Sequence, residues 1–269
     1  MKNLDLSNKR VLVTGASSGL GLEMARQLAR DHKAHPILVA RRRDRLADLA
    51  KELEQLGASP ELIAADMTRA DDRARVFAET TERAPLAAAI LNAGVTFFGR
   101  AVEQGRESVD GLIATNVTAV VDLSLRYVSY FKQRGDGGGL LLVSSMASLQ
   151  PMPYQATYGA SKAFVTSFGQ ALAEEHAGDA LSVTTFCPGG IATDMIESAG
   201  MSEKYNKDHP MVMAVEPCAR LALGAFVRRD RVYVPGALNK LTALSSKLAP
   251  MSLVTKLVAR DYRDVLPKR

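Results

Sequence analysis

The chain has 269 residues, 47% of them hydrophobic and 23% charged, with 20 glycines and 11 prolines that form no repeat, which excludes a disordered or collagen-like protein. No apolar stretch approaches the roughly 20 residues that span a bilayer. The start, Met1 to Ser7, lacks a signal-peptide core, and two cysteines (Cys187, Cys218) and four scattered histidines make neither a disulfide framework nor a metal site, so the expected setting is cytoplasmic. Net charge is +5, but residues 236–269 carry seven basic and two acidic side chains, so the first 235 residues sum to zero and the body has little attraction for nucleic acid.

In chain order, Val11–Thr14 is a short apolar run ending at Gly15 and predicts a strand, and Leu20–Arg30 has helical spacing. Pro36–Ala40 predicts a second strand, and Asp44–Leu56 a second helix with a Leu46/Leu49/Leu53/Leu56 stripe. Further strands are expected at Leu62–Ala65, Ala87–Leu91, Leu140–Val143, Val183–Phe186 and Val232–Val234, with a helix from about Tyr158 to His176. Continuous rather than alternating apolar runs suit strands covered on both faces. Strand–helix–strand alternation then predicts an α/β fold, with a doubly wound parallel sheet of about seven strands in a single domain. The core is expected over about 8–235, followed by a helical extension over 236–269. Breaks are expected at Arg134–Gly139 and Ile191–Val215.

Between the first strand and the first helix lies Thr14-Gly-Ala-Ser-Ser-Gly-Leu-Gly21. Glycines there let the backbone turn tightly and approach a pyrophosphate, whose charge meets free N–H groups and the helix dipole. The second strand ends Ala40-Arg41-Arg42-Arg43. Arginine at this position suits a 2′-phosphate where an acidic residue would suit a bare ribose, so NADP(H) is expected over NAD(H). Asp66, after the third strand, is either a partner for the adenine amino group or the N-cap of the next helix.

Of seven tyrosines, Tyr158 alone has lysine four residues on, Lys162, which puts both on one helix face. A close ammonium and a bound, positively charged nicotinamide would favour the phenolate, the tuning a general acid/base needs. Ser144 and Ser145 end the preceding strand, and chemistry alone does not choose between them as donor to a developing oxyanion.

Together these residues resemble the short-chain dehydrogenase/reductase family, across roughly residues 8–235. Its T-G-x-x-x-G-x-G motif is matched by Thr14, Gly15, Gly19 and Gly21, and its N-N-A-G by Leu91-Asn92-Ala93-Gly94, where Leu91 departs from the pattern. Asn116-Val117, Ser145 thirteen residues before Tyr158, and Pro188-Gly189-Gly-Ile-Ala-Thr193 complete the set. The resemblance implies Asn116, Ser145, Tyr158 and Lys162 as catalytic residues. Tyr158 would exchange the proton, Lys162 lower its pKa and hold the ribose, Ser145 polarise the carbonyl, and Asn116 hold a relay water. It implies cofactor contacts from Gly15, Ser17, Ser18, Gly19, Leu20, Gly21, Arg41, Arg42, Asp66, Met67, Asn92, Ala93, Gly94, Pro188, Gly189, Ile191 and Thr193, besides Tyr158 and Lys162.

The segment after Pro188-Gly189 is expected to cover the substrate with Met195, Ile196, Met201, Met211, Val212 and Met213, interrupted by Glu203–His209, while Phe97 and Phe98 add an apolar wall. The expected substrate is a small hydrophobic ketone, aldehyde or alcohol: fatty-acyl, steroid-like or xenobiotic. Further copies of the chain are expected as partners, in a homodimer or homotetramer, and nucleic acid is not. For the tail, with Leu238, Leu241, Leu244, Leu248, Leu253, Val254, Leu257 and Val258 at helical spacing, three readings stand: packing on the domain or a partner subunit, ranked first; a clamp over the active site; and peripheral contact with an anionic membrane. The functional expectation is an NADPH-dependent carbonyl reductase. The alternatives are a nucleotide-binding regulatory or scaffolding protein without turnover, a membrane-peripheral lipid reductase, and an NAD-dependent dehydrogenase, against which Arg41 and Arg42 argue.

Overall fold

The computed structural model describes residues 2–193, 195, 205 and 209–266, with the backbone alone for 245–248. Its strands are β1 (Arg10–Thr14), β2 (His35–Ala40), β3 (Glu61–Ala64), β4 (Leu86–Leu91), β5 (Gly138–Val143), β6 (Leu181–Phe186), the short β7 (Gly190–Ile191) and β8 (Val212–Met213), and β9 (Val232–Tyr233). Seven of them form one sheet in the order β3-β2-β1-β4-β5-β6-β9, every neighbouring pair parallel. The remaining two, β7 and β8, pair only with each other. The chain winds outward from β1 to β3, then returns to the other side of β1 at β4. That reversal opens a crevice above the carboxyl ends of β1 and β4.

The helices are α1 (Gly19–Arg30), α2 (Arg43–Gln55), α3 (Ala70–Glu82), α4 (Arg106–Ile113), α5 (Ala119–Arg134), α6 (Ala156–Glu175), α7 (Val215–Val227), α8 (Ala237–Leu248) and α9 (Met251–Arg263). Two cores flank the sheet. On one face Val11 and Val13 pack with Met24 and Leu28 of α1, Leu46 and Leu53 of α2, and Phe226 of α7. On the other, Leu12 packs with Tyr127 and Phe131 of α5 and Val165 and Leu172 of α6. Both faces are covered, which is why the strands read as unbroken apolar runs. Each such side chain contributes roughly 1.5–3 kcal/mol on burial.

Two details differ from the sequence reading. Gly138 and Gly139, expected in a break, open β5: the rings of Phe131 and Phe226 fill the space that a Cβ would occupy, a close approach that glycine permits inside a strand. The helical run 106–134 is, among the described residues, the one helix long and apolar enough to cross a membrane. Charged residues such as Asp122 interrupt it in the sequence, and Leu123, Tyr127 and Phe131 bury its apolar side in the core.

Candidate active site

At the end of β1 the backbone at Gly15 (φ +70°) and Gly19 (φ +53°) takes the left-handed conformation that glycine adopts without steric cost. A Cβ on Gly15 would stand 2.9 Å from Asn92 Nδ2 and 3.0 Å from Ala93 Cα. Asn92 is a staple between the ends of β1 and β4. Its Nδ2 donates to the Thr14 carbonyl (3.0 Å), while the backbone N–H groups of Asn92 and Ala93 donate to Thr14 Oγ1 (3.0 and 3.1 Å). Sequence reasoning used Thr14 only as part of a motif, yet its hydroxyl joins the two strands. Gly21, in the first turn of α1, does not border the cavity. A Cβ there would overlap the Gly15 carbonyl and the Asn92 amide, so Gly21 serves loop packing rather than direct cofactor contact. Ser18 caps α1 without a side-chain bond, and the first turn holds no acidic residue. The helix N–H groups therefore face the cleft with no competing anion, as a pyrophosphate requires.

Arg41 and Arg42, both exposed, border the same cavity, and Arg42 Nη2 donates to Ser17 Oγ at 3.1 Å. Asp66 also borders it, beside the buried Met67. Its Oδ1 accepts from the Thr68 N–H and hydroxyl, both at 2.9 Å. It closes a local turn; α3 begins at Ala70, with Arg69 at its cap. The N-cap alternative for Asp66 is thereby set aside.

The structure also separates the two serines. Ser144 Oγ donates to the Lys162 carbonyl (2.9 Å) and pairs with Thr166 Oγ1 (2.6 Å), away from the cleft's chemistry. Ser145 Oγ accepts from the Ala147 N–H (3.1 Å) and acts on the Tyr158 phenol, favouring its ionised form. Lys162 Nζ donates to the Val143 carbonyl at 2.9 Å and lies 5.9 Å from the Tyr158 ring centroid. Burial pulls the Lys162 ammonium down to about 8. Burial also raises the Tyr158 phenol, against the smaller opposing effect of Ser145. In the chain alone the neutral phenol is thus favoured; the phenolate expectation includes a bound, positively charged nicotinamide. No Lys162–Tyr158 hydrogen bond offsets the desolvation.

A pH dependence follows. Reduction uses the neutral phenol as acid, so its rate should stay level through neutral pH. Alcohol oxidation needs the phenolate, and its rate should climb about tenfold per pH unit below the raised Tyr158 pKa. Profiles of kcat in both directions check this; a flat oxidation profile would overturn it.

Asn116 lies in a π-helical turn, Ala114–Thr118, between α4 and α5 and is fully buried, so it does not border the cavity. Its Nδ2 donates to the Val95 carbonyl (2.9 Å) and Ser161 Oγ (3.0 Å), and its Oδ1 accepts from the Val95 N–H (2.9 Å). With both amide protons used, the side chain braces the Gly94–Val95 segment against α6. A Cβ on Gly94 would stand 3.3 Å from Lys162 Nζ and 3.4 Å from Asn116 Oδ1. Pro188, Gly189, Ile191 and Thr193 close the cleft, Thr193 reaching over Gly19.

The cavity of about 620 Å³ runs from Arg41 past Tyr158 to a wall that carries no motif. Thr242 of α8 and Leu257, Val258, Asp261 and Tyr262 of α9 form it, with Met152, Met195, Tyr205 and Met211. The Tyr262 ring sits 5.6 Å from that of Phe98 and 5.8 Å from that of Tyr205, whose hydroxyl donates to Asp261. Of the expected apolar wall, Phe97 and Phe98 do not border the cavity; Phe98 stands behind Tyr262. Val212 and Met213 form β8. Ile196, Met201 and all of the Glu203–His209 run except Tyr205 and His209 lie outside the described residues.

Comparison with known proteins agrees with this arrangement. The model of the short chain dehydrogenase family matches residues 9–204. An uncharacterized oxidoreductase of Mycobacterium tuberculosis is 34% identical over 239 residues, covering 86% of this chain and 89% of that protein. The glycine betaine reductase ATRR of Emericella nidulans is 34% identical over 203 residues, 75% of this chain but only 16% of that much longer protein. Among solved structures, a short-chain dehydrogenase from Sphingobium yanoikuyae in complex with NADPH superposes with a TM-score of 0.80 at 33% identity, over 89% of this chain and 93% of that one. With its glycine loop at the β1–β4 switch point and its serine, tyrosine and lysine on one cleft, this chain belongs to the short-chain dehydrogenase family of oxidoreductases.

Proposed function

We propose that the protein is an NADP(H)-dependent carbonyl reductase acting on a small hydrophobic ketone or aldehyde. One observation carries this reading: Ser145, Tyr158 and Lys162 converge on a cavity whose one end is bordered by Arg41 and Arg42 and whose other end is walled by methionines, Leu257, Val258 and Tyr262. The bare N-terminus of α1 and the glycines that a Cβ would crowd fit a dinucleotide pyrophosphate, and the two arginines fit a 2′-phosphate. The NADPH complex of the Sphingobium relative supports the same choice.

Bound NADPH would supply hydride. The chain's own residues orient the carbonyl and handle the proton. Ser145 Oγ, held by the Ala147 N–H, points its hydrogen toward the carbonyl oxygen and polarises it. Tyr158 Oη, kept neutral by burial, gives its proton to that oxygen as charge develops. Lys162, anchored on Val143, holds its ammonium beside the tyrosine ring. Asn116 acts at one remove, through Val95 and Ser161. The apolar wall excludes water from the other side of the carbonyl.

Thermal shifts with NADPH and NADH, followed by a panel of apolar ketones monitored at the cofactor's absorbance, test the reading. NADPH should stabilise the protein more than NADH does. Replacing Arg41 and Arg42 by Ala should weaken NADPH by roughly 1.5–3 kcal/mol for each charge-assisted bond lost and leave NADH nearly unchanged. Equal weakening of both cofactors would show that the arginines support the loop only. Absence of turnover across the panel, with NADPH bound, would favour a regulatory nucleotide-binding protein.

A further inference from the structure

The C-terminal helices expose an apolar stripe. Of the 13 large hydrophobic side chains exposed among the described residues, six fall between 238 and 257: Leu238, Leu241 and Leu244 on α8, and Met251, Leu253 and Leu257 on α9. On α8 the three leucines recur every third residue and share a face. Asn239 and Ala243, across the helix, are buried, and Asn239 Nδ2 donates to the Pro235 carbonyl at 2.9 Å. The helix is thus anchored by its other side. On α9, Leu253 and Leu257 stand one turn apart, with Lys256, Arg260 and Arg263 exposed alongside, while Val258 and Tyr262 border the cavity. Leu257 does both, being 59% exposed and part of the cavity wall, so the stripe reaches the cavity mouth.

Charge decides what meets this surface. The segment from 236 onward carries +5 while the rest of the chain is neutral, and α8 contains no acidic residue. A second copy docked across a two-fold axis would set the basic stripe against itself. An anionic lipid surface offers a hydrocarbon boundary for the leucines and phosphates for the cations. We propose that the α8–α9 hairpin docks the protein on anionic lipid surfaces, with the cavity mouth at Leu257 turned toward the bilayer.

The test uses the full chain and needs no turnover, so its failure leaves the carbonyl-reductase reading untouched. Flotation is compared for vesicles of phosphatidylcholine and of phosphatidylcholine mixed with phosphatidylserine. Binding is expected to the mixed vesicles alone and should fall as salt shortens the Debye length. The triple variant Lys256→Gln, Arg260→Gln, Arg263→Gln should bind on the order of 100-fold more weakly, at about fivefold per basic residue. Leu241→Asn with Leu244→Asn and Leu253→Asn, all exposed and away from the cavity wall, should also lose vesicle binding while keeping the wild-type melting temperature. Flotation equal on neutral vesicles, or on neither, overturns the proposal. So does a leucine variant that falls from oligomer to monomer and still floats, since the stripe would then be a contact between copies.

Discussion

Tyr158→Phe is expected to lower kcat for ketone reduction by roughly 10²–10⁴, the worth of a positioned general acid, while NADPH binding stays close to wild type. The ring keeps its packing beside Lys162, 5.9 Å from Nζ to the centroid, and the Lys162 Nζ bond to Val143 does not involve the phenol. What is lost is the proton and the hydroxyl on which Ser145 acts. Ser145 remains held by the Ala147 N–H, so the carbonyl can still be oriented but its oxygen is left without a proton source. Single-turnover rates and NADPH titration separate the effects. Activity within a few-fold of wild type would mean that the acid lies elsewhere, and a matching loss of NADPH affinity would mean that the hydroxyl holds the cofactor rather than supplying the proton.

Gly21→Ala should abolish tight NADPH binding and lower the melting temperature, although Gly21 does not touch the cavity. The added methyl would overlap the Gly15 carbonyl and the Asn92 amide. Neither can yield. The Gly15 N–H is bonded to the Val39 carbonyl at 2.8 Å, and Asn92 is bonded to Thr14 through its backbone and its side chain. Overpacking of this kind costs typically about 1–3 kcal/mol, and each 1.4 kcal/mol spent on reshaping the loop weakens the ligand about tenfold. Gly111→Ala is the control: it lies inside α4 with nothing within 4 Å of the added methyl, so it should stabilise the protein by roughly 0.5–1 kcal/mol. A Gly21→Ala protein with unchanged melting temperature and NADPH affinity would show that the loop can widen freely.

Much of the site was legible in the sequence because its chemistry is local. The loop from Thr14 to Gly21 must turn within one strand–helix junction, so its glycines are close in sequence. Tyr158 and Lys162 share a helix face because four residues make about one turn. The arginines after β2 likewise follow directly from where that strand ends. Seven strands were expected to within a residue or two because the central ones are buried on both faces and read as short apolar or β-branched runs, while the edge strands β3 and β9 are only partly covered.

What only the tertiary structure decided involves groups far apart in the chain. Ser144 and Ser145 are adjacent and chemically alike; Thr166 and the Lys162 carbonyl, both on α6, turn the first inward, leaving the second for Tyr158. Asn92 ties the end of β4 to Thr14, and Gly21 makes room for Gly15 and Asn92, which no motif states. The upward shift of the Tyr158 phenol comes from desolvation, a property of its surroundings that the Tyr–Lys spacing does not show. Tyr262 joins the substrate wall only because α9 folds back over the cleft. The sequence by itself determined the parallel sheet, the glycine loop and the Tyr–Lys pair, since these rest on short-range periodicity and spacing. The folded chain decided which serine faces Tyr158 in the cleft, which side chains brace the loops, and what walls the cavity, since these depend on long-range packing that leaves no periodic trace.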